Sequence, residues 1–137
     1  MKALFIDSAV IAYAIGEDHP QRDACRALVG AAQRGEVTLH ASVELIQEVL
    51  FHRLRRTDRH GAVEEARAVS RLVDLHPFDA SVLDRSLDLT ESTSIGGRDA
   101  IHAATALLWG FDAIVSPDRD FDGVPGLRRL HAVDALG

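Results

Sequence analysis

The chain has 137 residues, of which 47% are hydrophobic, and its 21 acidic and 15 basic side chains give a formal net charge of −6. This length allows one domain, residues 1–137, to bury a core, and a single cysteine excludes an intrachain disulfide framework. No apolar run approaches the ~20 residues of a membrane span, and the acidic charge argues against nucleic-acid binding through a broad basic surface. Because the first residues also lack the layout of a signal peptide, we expect a cytoplasmic protein with no membrane contact.

The first third of the chain alternates short apolar runs with helical patterns. Residues 2–6 are an apolar run that ends at Asp7, which is typical of a buried parallel strand with an acid at its carboxyl end. Cys25 shares a helical face with other apolar residues and is expected in the core. The next predicted elements are a helix over 8–14, a helix over 20–34, a strand over 37–41 and a helix over about 43–56 with Ser42 as its N-cap.

The rest of the chain is dominated by helical patterns and ends with a strand and a second group of acids. Strands that alternate with helices favour a parallel sheet covered on both faces, so we expect an α/β fold with three layers, α/β/α, around a mainly parallel sheet. The predicted elements are helices over 61–75 and 80–91, a helix with Asp99 in its first turn that ends at Gly110, a strand over 112–116 and an edge strand over 127–133.

Several acids are expected to meet at the carboxyl edge of this sheet. Asp7 follows the first strand, and Asp118 and Asp120 follow the strand that Pro117 ends. In open α/β sheets ligands bind at this edge. Asp99 and either Glu44 or Glu48, on early helical turns, could point to the same place.

Carboxylates that converge without partners repel one another and destabilise a fold, whereas a divalent cation removes that cost. Hard oxygen ligands suit Mg²⁺ or Mn²⁺, and such ions support in-line phosphodiester displacement. Simpler interpretations remain open at this point. Asp99 could be only a favourable charge at a helix start, Glu48 could pair with His52 on an exposed face, and His102 could be structural.

Four motifs carry a resemblance to a known family. They occur in the order and spacing of PIN-domain proteins, and more narrowly of the VapC-type toxins of bacterial toxin–antitoxin pairs. The motifs are Phe5-Ile6-Asp7-Ser8, Ser42 with Glu48 six residues later, Arg98-Asp99-Ala-Ile-His-Ala-Ala-Thr-Ala-Leu107, and Ser116-Pro-Asp118-Arg-Asp-Phe121.

The resemblance implies a metal-dependent endoribonuclease toxin that cleaves RNA, often a tRNA or rRNA, by two-metal hydrolysis with Mg²⁺ or Mn²⁺. By position, Asp7, Glu48, Asp99 and Asp118 would be the four acidic catalytic and metal-binding residues. Ser116, Asp120 and Glu44 are supporting or alternative residues. The resemblance also implies a homodimer that is silenced by a small antitoxin protein. Ala9 departs from the family, which commonly has Asn two residues after the first Asp.

Two alternatives belong to other functional classes. A receiver-like signalling domain has a similar size and acid cluster, but it normally needs a lysine at a late strand end, and the only lysine here is Lys2. A PIN-like domain that serves only as a non-catalytic binding scaffold would keep the fold without cleavage. Acids at all four family positions favour the enzyme.

Overall fold

The computed structural model describes residues 1–137, and strands alternate with helices along much of the chain. None of the helices combines the length and the apolar character that a membrane span requires. The strands are β1 (Lys2–Phe5), β2 (Val37–Ser42), β3 (Val73–His76), β4 (Ala113–Val115) and β5 (Arg128–Leu130). The helices are α1 (Ser8–Ile15), α2 (Arg22–Gln33), α3 (Glu44–Leu54), α4 (Arg59–Leu72), α5 (Ala80–Ser92), α6 (Gly97–Leu108) and α7 (Ala132–Ala135), with a 3₁₀ turn over Arg119–Gly123.

All strand pairs are parallel, as the alternation of strands and helices predicts. Strand β2 pairs with β1 and β3, and β4 pairs with β5. A parallel bridge between Ile6 and Val115 joins β1 to β4, so the strand order is β3-β2-β1-β4-β5. The chain moves outward in one direction from β1 to β3 and in the other from β4 to β5. The point between β1 and β4 is therefore the topological switch point, where α/β sheets bind ligands.

The core has two parts, one on each face of the sheet. Side chains of successive strand residues point to opposite faces. Accordingly, Leu4 and Ile6 belong to a core cluster that includes residues of α1, α2, α3 and α7, whereas Phe5 belongs to a cluster formed with α5 and α6. Cys25 is buried in the first cluster, as its helical face predicts. The predicted three-layer α/β/α arrangement is confirmed.

The structure corrects the sequence interpretation at residues 73–76. The spacing predicts a helix over 61–75, but α4 ends at Leu72 and the following residues form β3. Pairing with β2, from Leu39 opposite Val73 to Ser42 opposite His76, satisfies the backbone of these residues and adds a strand to the sheet. Because the pairing with β2 is a tertiary contact, the helical spacing of apolar residues in the sequence does not reveal it.

The C-terminal region differs from the prediction in a similar way. The edge strand expected over 127–133 is shorter, and the chain turns into α7 after Leu130. By contrast, the glycine predicted to end the central helix is confirmed. Gly110 has a φ of 83°, a left-handed conformation that glycine adopts without steric cost.

Candidate active site

Asp7 occupies the centre of the switch point. It directly follows the β1 segment and is only 3% exposed. One carboxylate oxygen, Oδ1, accepts a hydrogen bond from the backbone N–H of Ala9 at 3.1 Å and so caps α1. The other oxygen, Oδ2, accepts from the Ser116 hydroxyl at 2.8 Å. Burial raises the pKa of Asp7 to about 6, against these hydrogen bonds, which stabilise its charged form.

Ser116 connects two of the predicted acids. It is fully buried just after β4, and its Oγ accepts a hydrogen bond from the backbone N–H of Asp118 at 3.0 Å while it donates to Asp7. Asp118 in turn caps the 3₁₀ turn, because its Oδ1 accepts from the N–H of Asp120 at 2.9 Å. The loop after β4 is thus held against β1 by hydrogen bonds of one hydroxyl.

Asp99 reaches the same edge from the first turn of α6. Its carboxylate, with those of Asp118 and Asp120, offers ligand oxygens that all lie within 4.8 Å of one another. Burial, the adjacent Asp118 carboxylate and the charge of Asp7 raise the pKa of Asp99 to about 7. The acids at this edge therefore repel one another near neutral pH, which is the electrostatic state that a cation relieves.

Glu48 lies close enough to Asp7 to raise its pKa, and it accepts two hydrogen bonds. Ser8 Oγ donates to Glu48 Oε2 at 3.1 Å, and Glu48 Oε1 contacts Nε2 of His102. Burial raises the pKa of Glu48, but the contact with His102 outweighs it and leaves the pKa below its ordinary value. Burial likewise opposes the charged form of His102, yet Glu48 raises the pKa of His102 overall.

These contacts bear on two interpretations that the sequence leaves open. Glu48 pairs with His102 and not with His52. His102 is 1% exposed, which agrees with a structural role as the buried partner of a site residue. Ser8 carries no signal in the sequence beyond its place in the first motif, yet it contacts Glu48. His102 follows Asp99 by three residues, about one helical turn, so both side chains lie on the same face of α6. This spacing is the feature of the sequence that points to His102 as part of the site.

Glu44 begins α3 one turn before Glu48, and both side chains line an outer groove with Phe51 and Arg98. Of the two, Glu48 is the one whose carboxylate forms hydrogen bonds within the site, with Ser8 and His102. The structure thus brings Asp99, Asp118 and Asp120 into one cluster, with Asp7 joined to it through Ser116 and Glu48 next to Asp7. All of these groups offer hard carboxylate oxygens, a donor set that suits Mg²⁺ or Mn²⁺.

Comparisons with known proteins agree with this fold. A family model described as "PIN domain" matches residues 4–127, which includes every site residue named above. Over 140 aligned residues the chain is 36% identical to Ribonuclease VapC7 of Mycobacterium tuberculosis, and the alignment covers 98% of this chain and 94% of that protein. The chain belongs to the PIN-domain family and, within it, to the VapC ribonucleases.

Solved structures show the same fold at low sequence identity. The VapBC2 structure of Rickettsia felis, bound to a DNA fragment from its promoter, superposes with a TM-score of 0.73 at 15% identity, covering 94% of this chain and 98% of that chain. VapC20 of Mycobacterium tuberculosis, described as a sarcin-ricin-loop-cleaving toxin, gives a TM-score of 0.72 at 16% identity, with 87% and 92% of the two chains covered.

Proposed function

We propose that this chain is a divalent-cation-dependent endoribonuclease and the toxin of a toxin–antitoxin pair. The observation that carries the proposal is the convergence of Asp7, Asp99 and Asp118 at the switch point of a PIN-family sheet. These acids come from three separate elements, and their pKa values show that they are costly to the fold. Acids with perturbed pKa values that meet in one place are typical of functional sites, which favours a functional role for this cluster.

Asp99 and Asp118, supported by Asp120 and Asp7, are the residues that would hold Mg²⁺, for which Mn²⁺ would substitute. When bound, the cation would neutralise the charge that develops on a phosphodiester during hydrolysis. Asp7 has little freedom to move, because the N–H of Ala9 and the hydroxyl of Ser116 fix both of its oxygens. Ser116 orients Asp7 and the Asp118 backbone together, which keeps the acids of β1 and β4 in register.

Glu48 would serve as the fourth acid of the site. Its pKa lies below the ordinary value, so the carboxylate is charged throughout the physiological range. His102 and Ser8 hold its two oxygens and thereby aim the carboxylate. Asp120 can replace or supplement Asp118 in contact with a cation because both lie in the same cluster. Glu44 lines the outer groove beside Glu48 and would act there as the alternative to it.

The similar proteins support a proposal for the substrate and the partners of this chain. The proteins that the chain resembles include a VapBC pair and a toxin that cleaves the sarcin-ricin loop. On this basis we propose that the chain acts on a tRNA or rRNA in the cytoplasm, forms a homodimer and is inhibited by a small antitoxin protein. The acidic edge is the surface that an inhibitor would have to cover.

Cleavage of RNA tests the enzymatic proposal. Purified protein is incubated with total bacterial RNA and Mn²⁺, and new 5′-phosphate ends are mapped by sequencing. The variants are Asp99→Asn and, as a matched control, Asp88→Asn, which changes an exposed acid of α5. We expect discrete ends with wild type and Asp88→Asn that disappear in EDTA and with Asp99→Asn. Equal cleavage by Asp99→Asn and wild type would contradict the proposed site, and no cleavage by any protein would favour a non-catalytic scaffold.

A further inference from the structure

One apolar side chain is exposed beside the acidic site. Phe51 is on α3 and is 51% exposed, although burying a phenyl side chain stabilises a fold. Glu44, Glu48, Phe51 and Arg55 follow one another at three- and four-residue steps and so share a face of this helix. The ring is therefore on the same stripe as Glu48, one turn further along.

Arginine side chains surround this ring. The guanidinium carbons of Arg55 and Arg98 lie 5.6 Å and 6.0 Å from its centroid. Both side chains are exposed and neither forms an ion pair, whereas Arg53 is paired with Glu65. Arg98 also lies close enough to Glu48 for its charge to lower the pKa of that carboxylate, so the arginines reach the edge of the acidic site.

The ring and the arginines open onto the proposed active site. A groove of about 370 Å³ is lined by Ser8 and Glu48 at one part and by Phe51, Arg55, Arg56 and Arg98 at another. Ser8 and Glu48 are in direct hydrogen-bond contact, so this groove begins at the acidic site. An RNA strand that places one phosphate at the acids would continue along this groove.

We propose that Phe51, with Arg55 and Arg98, forms a subsite that binds an unpaired nucleobase and its neighbouring phosphate, next to the phosphodiester that is cleaved. This inference rests on the proposed ribonuclease function and extends it to the form of the substrate. Every base has a π-face that can stack on an aromatic ring, and guanidinium groups can contact phosphate and stack on bases. A base within a duplex is not available to the ring, so the subsite selects single-stranded RNA or a loop.

Binding of a labelled RNA to the full chain tests the subsite without relying on cleavage. The probes are a fluorescein-labelled single strand of about 12 nucleotides and the same strand annealed to its complement, measured by anisotropy in Ca²⁺ and in EDTA. The variants are Phe51→Leu, Phe51→Tyr and Arg98→Gln. The controls are Trp109→Leu, an exposed aromatic at the end of α6, and Arg85→Gln, an exposed arginine of α5.

We expect Phe51→Leu to weaken binding of the single strand about tenfold and to leave duplex binding unchanged, while Phe51→Tyr retains wild-type affinity because it keeps the ring. Arg98→Gln should weaken binding of both probes and reduce the salt dependence, since it removes a phosphate contact. The two controls should bind as wild type does. Thermal unfolding of each variant shows that the fold is intact.

Several results would overturn the subsite. The first is equal affinity of wild type and Phe51→Leu for the single strand. The second is a loss of affinity by Phe51→Leu that is equal for the single strand and the duplex. The third is no RNA binding by wild type. Loss of binding to a purified antitoxin by Phe51→Leu, with RNA binding unchanged, would assign the ring to the protein partner and also contradict the proposal. Failure of the nuclease is a separate result, because it would appear as Phe51-dependent RNA binding without any cleavage.

Discussion

The Ser116 hydroxyl donates a hydrogen bond to Asp7 Oδ2 at 2.8 Å across the junction between β4 and β1. The two residues are 109 positions apart in the chain, yet both are buried at the switch point of the sheet. The same hydroxyl accepts from the Asp118 N–H. One side chain therefore sets the relative position of two of the proposed site acids.

We predict that Ser116→Ala keeps the fold and reduces both stability and cleavage. The substitution leaves the buried Asp7 carboxylate without one of its two donors, which costs about 1–3 kcal/mol in the free energy of unfolding. It also raises the pKa of Asp7 further, because that hydrogen bond favours the charged form. Urea unfolding and RNA cleavage rates measure the two effects. A variant as stable and as active as wild type would show that the contact is incidental.

A second prediction concerns the buried pair of His102 and Glu48. His102→Leu removes the partner that aims Glu48 and should lower the cleavage rate and the affinity for Mn²⁺ by roughly 10–100-fold, as for other groups that orient a metal ligand. His102→Gln can still donate to Glu48 and should lose less. The readouts are the Mn²⁺ concentration for half-maximal cleavage and the KM for RNA, which should not change. Equal effects of Leu and Gln would indicate that His102 contributes packing alone.

The dependence of stability on pH follows from the raised pKa values. The pKa of Asp7 rises from 3.8 to about 6, so its contribution is fully present below pH 3.8 and is lost as the pH rises through 6. A difference of about two pKa units corresponds to about 3 kcal/mol. Asp99, whose pKa is about 7, acts in the same direction. His102, with a raised pKa, also loses its contribution as the pH rises, whereas the lowered pKa of Glu48 stabilises the fold above 4.5.

We therefore predict that, without divalent cations, the free energy of unfolding decreases between about pH 4.5 and pH 7. Mg²⁺ should reverse this decrease, because it binds the native state and the charged carboxylates. Asp7→Asn should make the metal-free profile flatter. Urea unfolding across this pH range in EDTA and in Mg²⁺ provides the measurement. A free energy of unfolding that increases with pH in EDTA would contradict the proposed repulsion among the charged acids.

Two glycines offer a matched test of the packing around α1 and α2. A Cβ at Gly16 would lie 2.5 Å from the backbone oxygen of Ala12, so Gly16→Ala should destabilise the protein by about 1–3 kcal/mol. Gly30 is inside α2, and a Cβ there would meet only the flexible end of Arg34 at 3.1 Å. Gly30→Ala should stabilise by up to about 1 kcal/mol through helix propensity. If the melting temperatures of the two variants shifted in the same direction, this account would be contradicted.

Much of the fold could be predicted from local patterns. Strand β1, the helix with Asp99 and the turn at Gly110 carry strong local signals, such as an apolar run that ends on an acid and a glycine after a helical period. Strand β3 could not be predicted in this way, because its state depends on pairing with β2. The apolar spacing of these residues instead favours a continuation of helix α4, which β3 follows.

Only part of the candidate site could be predicted from the sequence. The convergence of the acids that follow β1 and β4 is a consequence of parallel strands, whose carboxyl ends meet at one edge. The contact between Glu48 and His102 joins α3 to α6 over 54 positions, and no spacing in the sequence specifies it. The position of Phe51 beside the groove likewise depends on how α3 packs.

Direct measurement of Mn²⁺ binding tests the central claim that the acids at the switch point form a cation site. The bound ion is followed by electron paramagnetic resonance with wild type, Asp99→Asn and the control Asp88→Asn. We predict saturable binding by wild type and Asp88→Asn, and loss of that binding with Asp99→Asn. The same variant should be more stable than wild type in EDTA by about 1 kcal/mol, since it removes a screened but repulsive charge. Unchanged Mn²⁺ affinity in Asp99→Asn would contradict the claim.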